Sequence, residues 1–123
     1  ATAIFSLCKE KPTNLVGQTS IAELVALLDI ASVVVAPDTG PAHIANALNT
    51  PVIGLYAATN PQRAGPYRFQ KQVVNHYAQA LETFYSLSIG DAPWGQRVHH
   101  EDCMAMITAD EVIKKLNRIL YQA

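Results

Sequence analysis

Charge is scarce in this sequence. Nine Lys and Arg stand against ten Asp and Glu, so 15% of residues are charged and the net charge is −1. Such a balance sets up no field that draws in a polyanion, and no nucleic-acid partner is expected. Cysteine is scarcer still. Cys8 and Cys103 form neither a C-x-x-C pair nor a disulfide framework, which fits a reducing, cytoplasmic setting. No apolar run approaches the roughly 18 residues of a membrane span, and the first residues lack the pattern of a secretory leader. Internal repeats, low-complexity tracts and charge blocks are also missing. The chain opens on Ala1 instead of methionine, and the expectation is a piece of something longer.

What is present is apolar. Half of the 123 residues are hydrophobic, enough for one domain over 1–123 with a single real core. Low charge with runs of Val, Ile, Leu and Ala points to strands buried on both faces, as in parallel α/β sheets.

The pattern along the chain supports that class. Residues 1–13 are ill-defined, either a short strand or a helix end before Lys11-Pro12. Asn14-Leu15-Val16-Gly17 reads as a short strand. Ser20-Ile21-Ala22-Glu23 has the form of a capping box and starts a helix with Leu24, Leu27, Leu28 and Ala31 on one face. Val33-Val34-Val35-Ala36 is a β-branched run suited to a buried strand. Pro37-Asp38-Thr39-Gly40 ends it, and Pro41 opens a short Ala-rich helix, where its missing N–H costs nothing. Asn49 is a left-handed stop. Pro51–Tyr56 is the next strand, and connections this short imply a parallel sheet. Val73-Val74 reads as an edge strand. Residues 77–102 read as an irregular loop region with a turn of helix near Ala80–Tyr85. Thr108-Ala109-Asp110-Glu111 is a second capping box, opening a helix with Val112, Leu116, Ile119 and Leu120 on one face.

The chemistry concentrates at Asp38-Thr39-Gly40-Pro41-Ala42-His43. Open parallel sheets bind ligands beyond the carboxyl ends of their strands, where a loop turns into a helix. Gly40 lets backbone approach a ligand closely. The first N–H groups of the helix lack internal partners and carry partial positive charge, which suits a phosphate or diphosphate. Thr39 offers an N–H and a hydroxyl, Gly40 an N–H, and His43 a ring nitrogen from the first turn. Asp38 would repel a diphosphate. It is therefore read as holding the loop through backbone N–H groups or gripping a sugar hydroxyl. The same string also fits an ordinary capped turn, with Asp38 or Thr39 as N-cap and His43 half-buried.

A longer string extends the comparison. Gly17-Gln18-Thr19-Ser20-Ile21, Asp38-Thr39-Gly40-Pro41-Ala42-His43-Ile44-Ala45, Thr50-Pro51-Val52-Ile53-Gly54-Leu55-Tyr56, Thr59-Asn60-Pro61 and Gly65-Pro66 stand in this order, and Cys103-Met104-Ala105-Met106-Ile107 precedes the last helix. The string resembles family 9 glycosyltransferases, the ADP-heptose:lipopolysaccharide heptosyltransferases, across roughly residues 14 to 120. The resemblance implies an α/β fold with a Rossmann-like parallel sheet and flanking helices, part of the C-terminal domain of a GT-B glycosyltransferase. It also implies inverting, metal-independent transfer of heptose from ADP-heptose to lipopolysaccharide core, with no cofactor. Asp38, Thr39, Gly40 and His43 would surround the diphosphate and sugar, Thr19 and Ser20 would lie beside the adenine, and Thr59 and Asn60 would line the interdomain cleft. The family often has Lys where Gln18 stands, and Gly where Ala58 or Asn49 stands. Its catalytic base lies in an N-terminal domain outside this sequence, which would also carry the acceptor. No catalytic residue is therefore assigned, and the chain alone is not expected to turn over.

Other readings stay open. The chain can be a non-catalytic nucleotide-binding or interaction module, or another nucleotide-sugar enzyme of GT-B type. His76, His99, His100 and Cys103 lack zinc spacing, and no metal site is assigned. Arg63, Arg68, Lys71 and Arg97 are either solvated or a basic patch for an anionic acceptor or the inner face of a membrane. Trp94 either stacks on a ligand or packs in its loop. An uncovered strand edge is expected to pair with a second copy or to lie under residues 1–13.

Overall fold

The computed structural model of the chain describes residues 1–122. The order is α1 (Thr2–Leu7), α2 (Ile21–Ile30), β1 (Val34–Pro37), α3 (Gly40–Ala47), β2 (Val52–Tyr56), α4 (Pro61–Ala64), β3 (Val74–Asn75), α5 (Tyr77–Tyr85) and α6 (Ala109–Tyr121). Short 3₁₀ turns occupy Tyr67–Gln72 and Met104–Met106.

Among the described residues the strands form one three-stranded sheet, ordered β1–β2–β3, with both pairings parallel. Val34 faces Val52 and Pro37 faces Leu55, while Leu55 faces Val74. The α/β class with a parallel sheet and flanking helices therefore holds. Helix α3 joins β1 to β2, the crossover that a parallel pair requires. Asn49 adopts φ 61°, the left-handed stop expected after that helix. Gly54 is in β2 because a Cβ there would come 2.6 Å from the ring of Tyr56, which folds back over it.

The core has two parts. One gathers Ala36, Ala42, Ala45 and Val52 between the sheet and α3. The other gathers Ala57, Tyr77, Ala80, Leu81, Val98 and Cys103 around α5. Thr50 Oγ1 donates to Leu28 O at 2.8 Å and ties α2 to the start of β2.

Three local expectations need correction. Residues 14–17 form a turn, because Asn14 Oδ1 accepts from Val16 N, Gln18 N bonds Leu15 O, and Gly17 takes φ 73°. Such local hydrogen bonds compete directly with strand pairing. Leu15 and Val16 are exposed there, so no strand from this segment covers β1, which among the described residues pairs with β2 alone. Residues 1–13 do not bury that edge as a strand. Their ordered part is α1, which has no buried residue. Helix α5 starts at Tyr77, earlier than the turn expected near Ala80.

Helix α6 carries the complete capping box. Thr108 Oγ1 accepts from Glu111 N, and Glu111 Oε2 accepts from Thr108 N. The other Glu111 oxygen meets His76 Nε2 at 2.7 Å, and His76 Nδ1 meets Gln79 at 2.7 Å. Farther along, Lys115 Nζ donates to Lys71 O, just before β3. Helix α6 thus runs antiparallel beside β3, its N-terminal half tied to the residues flanking that strand. None of the helices is long and apolar enough to cross a membrane among the described residues.

The His76–Glu111 clamp titrates. The Gln79 hydrogen bond, and then Glu111, hold the His76 pKa above its ordinary 6.5 against an opposing desolvation. The Thr108 amide, and then His76, pull Glu111 from 4.5 to about 2. The His76 contribution is present in full below pH 6.5 and fades as pH rises through the raised pKa. The Glu111 contribution is present above 4.5 and fades as pH falls toward 2. Thermal melts of wild type and His76→Ala should therefore differ most below pH 6.5, but above the acid range in which Glu111 protonates, and the difference should shrink as pH rises above 6.5. A difference that stays flat with pH would contradict the clamp.

The β1 edge generates a second expectation. Val35 is exposed on a strand that pairs only with β2. An open apolar edge favours pairing with another chain. Sedimentation velocity should show concentration-dependent dimers that Val35→Lys reduces. A wild-type chain that stays monomeric at every concentration would exclude the edge as a contact.

Candidate functional site

The parallel pairing of β1 with β2 brings both strands out at one level. Pro37 and Leu55 face each other, so the turn after β1 and the loop after β2 leave the sheet side by side. Between them lies a depression of about 300 Å³, lined by Pro37, Asp38, Leu55, Ala58, Thr59, Arg97 and Met104. Asp38 and Thr59, named from separate motifs, therefore share one wall-to-wall site.

Helix α3 begins at the rim. Thr39 is its N-cap in extended conformation, and Pro41 stands in the first turn as expected. The Thr39 hydroxyl donates to Pro37 O at 3.3 Å, so it does not cap the helix. Thr39 is thus the N-cap by position, as the capped-turn reading had it, but its side chain makes no hydrogen bond to the helix. Ser20, Asn60 and Thr108 each accept an amide at their helices, whereas the first turn of α3 has no side-chain acceptor. A Cβ at Gly40 would meet nothing within 4 Å, so the approach to this turn is open.

Asp38 departs from one expectation. It does not hold the loop through backbone amides. Its Oδ1 lies 3.3 Å from His43 Nε2, and its Oδ2 lies 4.0 Å from the Arg97 guanidinium. His43 therefore does point back from the helix toward the strand end, and the carboxylate engages a ring nitrogen and a cation. Below them, Tyr56 donates its hydroxyl to Ala64 O. Burial, and then the Asp38 charge, push the Tyr56 pKa up to about 12, which fixes it as a neutral donor.

The remaining named residues divide. Ser20 and Thr19 precede α2 and do not line the depression that holds Asp38. Ser20 Oγ accepts from Glu23 N. Thr19 lines a separate apolar groove with Leu15, Leu27 and Ile30. Asn60 is buried, caps α4 through Gln62 N, and borders a neighbouring hollow with Tyr77 and the exposed Trp94.

The histidine and cysteine cluster has local partners. His100 stacks on Phe84 with ring centroids 4.0 Å apart and accepts from Asp102 N, while Cys103 is buried, its pKa raised by burial. Among the described residues no group of three His, Cys, Asp or Glu is placed to hold a metal ion.

Arg97 is the residue that motif reading left among the general basic residues. Only its position on the wall of this depression marks it, and that position depends on contacts distant in sequence.

The family model for glycosyltransferase family 9 (heptosyltransferase) matches residues 1–89. The chain is 36% identical over 116 residues to the lipopolysaccharide core heptosyltransferase OpsX of Haemophilus influenzae, covering 94% of this chain and 33% of that protein. It is 48% identical over 117 residues to lipopolysaccharide heptosyltransferase 3 of Escherichia coli K12, covering 92% of this chain and 30% of the relative. Lipopolysaccharide heptosyltransferase 2 of Escherichia coli K12 is 29% identical, over 89% of this chain and 29% of its own length. The chain thus spans about a third of the length of the curated relatives it matches. No solved structure matches. With a three-stranded parallel α/β sheet, the D-T-G turn at a strand end and a family match over most of its length, this chain belongs to glycosyltransferase family 9, the heptosyltransferases.

Proposed function

We propose that this chain is the donor-binding portion of a cytoplasmic heptosyltransferase, working at the inner face of the membrane on heptose transfer from ADP-heptose to lipopolysaccharide core. The observation that carries the reading is the turn Asp38–His43. It lies at the carboxyl end of β1, opens on a helix with no side-chain cap, and borders a hollow of about 300 Å³. Amides of the first turn, with Thr39 and His43, would take the diphosphate, while Thr19 and Ser20 would neighbour the base. Such fixed donors stabilise the charge that builds on the leaving β-phosphate as the glycosidic bond breaks. The acceptor and the base that deprotonates it would come from parts of the enzyme outside this chain.

A second reading has its own support. The groove of Leu15, Leu27 and Ile30 and the free β1 edge form an apolar surface suited to an interaction module.

Calorimetric titration with ADP, UDP and GDP separates the two. Donor binding is expected to favour ADP, and no binding by a folded chain would favour the interaction module. UDP preference would indicate a different nucleotide-sugar enzyme. His43→Ala should weaken ADP binding about tenfold, as the loss of one hydrogen bond to a charged group does. Adenosine affinity should stay unchanged, because this reading assigns His43 to the diphosphate, which adenosine lacks. An equal loss for both ligands would remove His43 from the diphosphate.

A further inference from the structure

A carboxylate beside an anion site needs an explanation, because Asp38 by itself repels a diphosphate. The geometry supplies one. The Asp38 side chain is 21% exposed, whereas its two partners, His43 and Arg97, are 52% and 59% exposed. The carboxylate is thus the more enclosed group, and both donors reach outward from it into solvent. At 4.0 Å, Arg97 lies close enough to Asp38 to balance its charge and too far to give it a hydrogen bond. A guanidinium has five N–H groups in a fixed fork suited to phosphate oxygens, and this pairing leaves them available.

The backbone around Arg97 is held on both sides. Gln96 O accepts from the Tyr77 hydroxyl at 2.8 Å, which attaches the segment to α5. Val98 N donates to Ala58 O at 2.9 Å, which attaches it to the loop after β2. Val98 is buried in the cluster around α5, and Gln96 Nε2 donates to Arg97 O. An otherwise irregular stretch therefore presents one long cationic side chain at a set position on the wall shared by Asp38 and Thr59. A solvated surface arginine needs no such support.

We propose that Arg97 is a phosphate-binding residue of this site, contacting the diphosphate of the nucleotide from the side opposite the α3 amides, with Asp38 as the positioning carboxylate for both Arg97 and His43. The assignment rests on the donor-binding reading given above. It makes the local charge favourable to an anion, since Arg97 cancels Asp38 and leaves the partial positive charge of the helix amides in excess.

The test is nucleotide titration of the full chain as wild type, Arg97→Ala and Arg97→Lys, with ADP and adenosine as probes and thermal melts as a folding control. Arg97→Ala should lower ADP affinity about tenfold or more, leave adenosine binding unchanged, and be partly rescued by Arg97→Lys. In a double-mutant cycle, the effect of Arg97→Ala on ADP affinity should shrink in an Asp38→Asn background. ADP affinity within about twofold of wild type in Arg97→Ala, or equal losses of ADP and adenosine, overturns the Arg97 assignment alone. Additive effects in the cycle overturn the positioning role of Asp38. A wild-type chain that ignores ADP removes the donor-binding reading and this inference together.

Discussion

The parallel ladder between β1 and β2 is the constraint on which the rest of the molecule depends. Its register sets Pro37 against Leu55, and so decides that the turn carrying Asp38 and the loop carrying Thr59 emerge together. An antiparallel pair would send one of them to the far end of the sheet. Helix α3 is the crossover that parallel pairing demands, so its N-terminal amides arrive at the same place as a consequence of topology. Buried Ala42, Ala45 and Val52 hold that helix against the strands. Their small side chains bring helix and sheet close together, and the first turn of α3 is positioned accordingly.

Much of the structure that follows from neighbouring residues was legible in the sequence. The Val-rich run before Asp38, Pro41 in the first turn of a helix, Asn49 as a left-handed stop and Thr108 with Glu111 as a capping box all act within a few residues. Residues 14–17 misled because Leu15-Val16 has strand composition, while Asn14 and Gly17 carry the turn chemistry that prevails. Arg97 and His76 were not legible for a different reason. Arg97 faces Asp38, 59 residues earlier, and His76 meets Glu111, 35 residues later. No periodicity or local motif encodes such pairings. They appear only when loops are packed against a folded core.

The irregular stretch after α5 shows how a loop without regular hydrogen bonding can still be firmly placed. Val98 and Cys103 enter the cluster with Tyr77, Ala80 and Leu81, and each buried side chain of this kind contributes roughly 1.5–3 kcal/mol relative to exposure. Polar ties from Tyr77 to Gln96 and from Val98 to Ala58 then fix the direction of the segment between them. Burial supplies the energy and the hydrogen bonds supply the geometry. Loops that carry binding groups on rigid scaffolds commonly divide the work this way.

Asp38 joins these themes in one side chain. It follows the strand that sets the register, and it touches the helix through His43 and the distal loop through Arg97. A carboxylate in that position lowers the net positive charge available to an incoming diphosphate. It also limits where two flexible donors can go before any ligand arrives, and ordering long side chains is a principal entropic cost of binding them. Two donors already gathered by one anion would leave less freedom to be lost on binding a nucleotide, as proposed above. Electrostatic attraction is weakened slightly, and orientation is gained. In the donor-binding reading proposed above, fixed orientation would be the more valuable property, because donors that must reorganise as charge develops on a leaving phosphate stabilise that charge less.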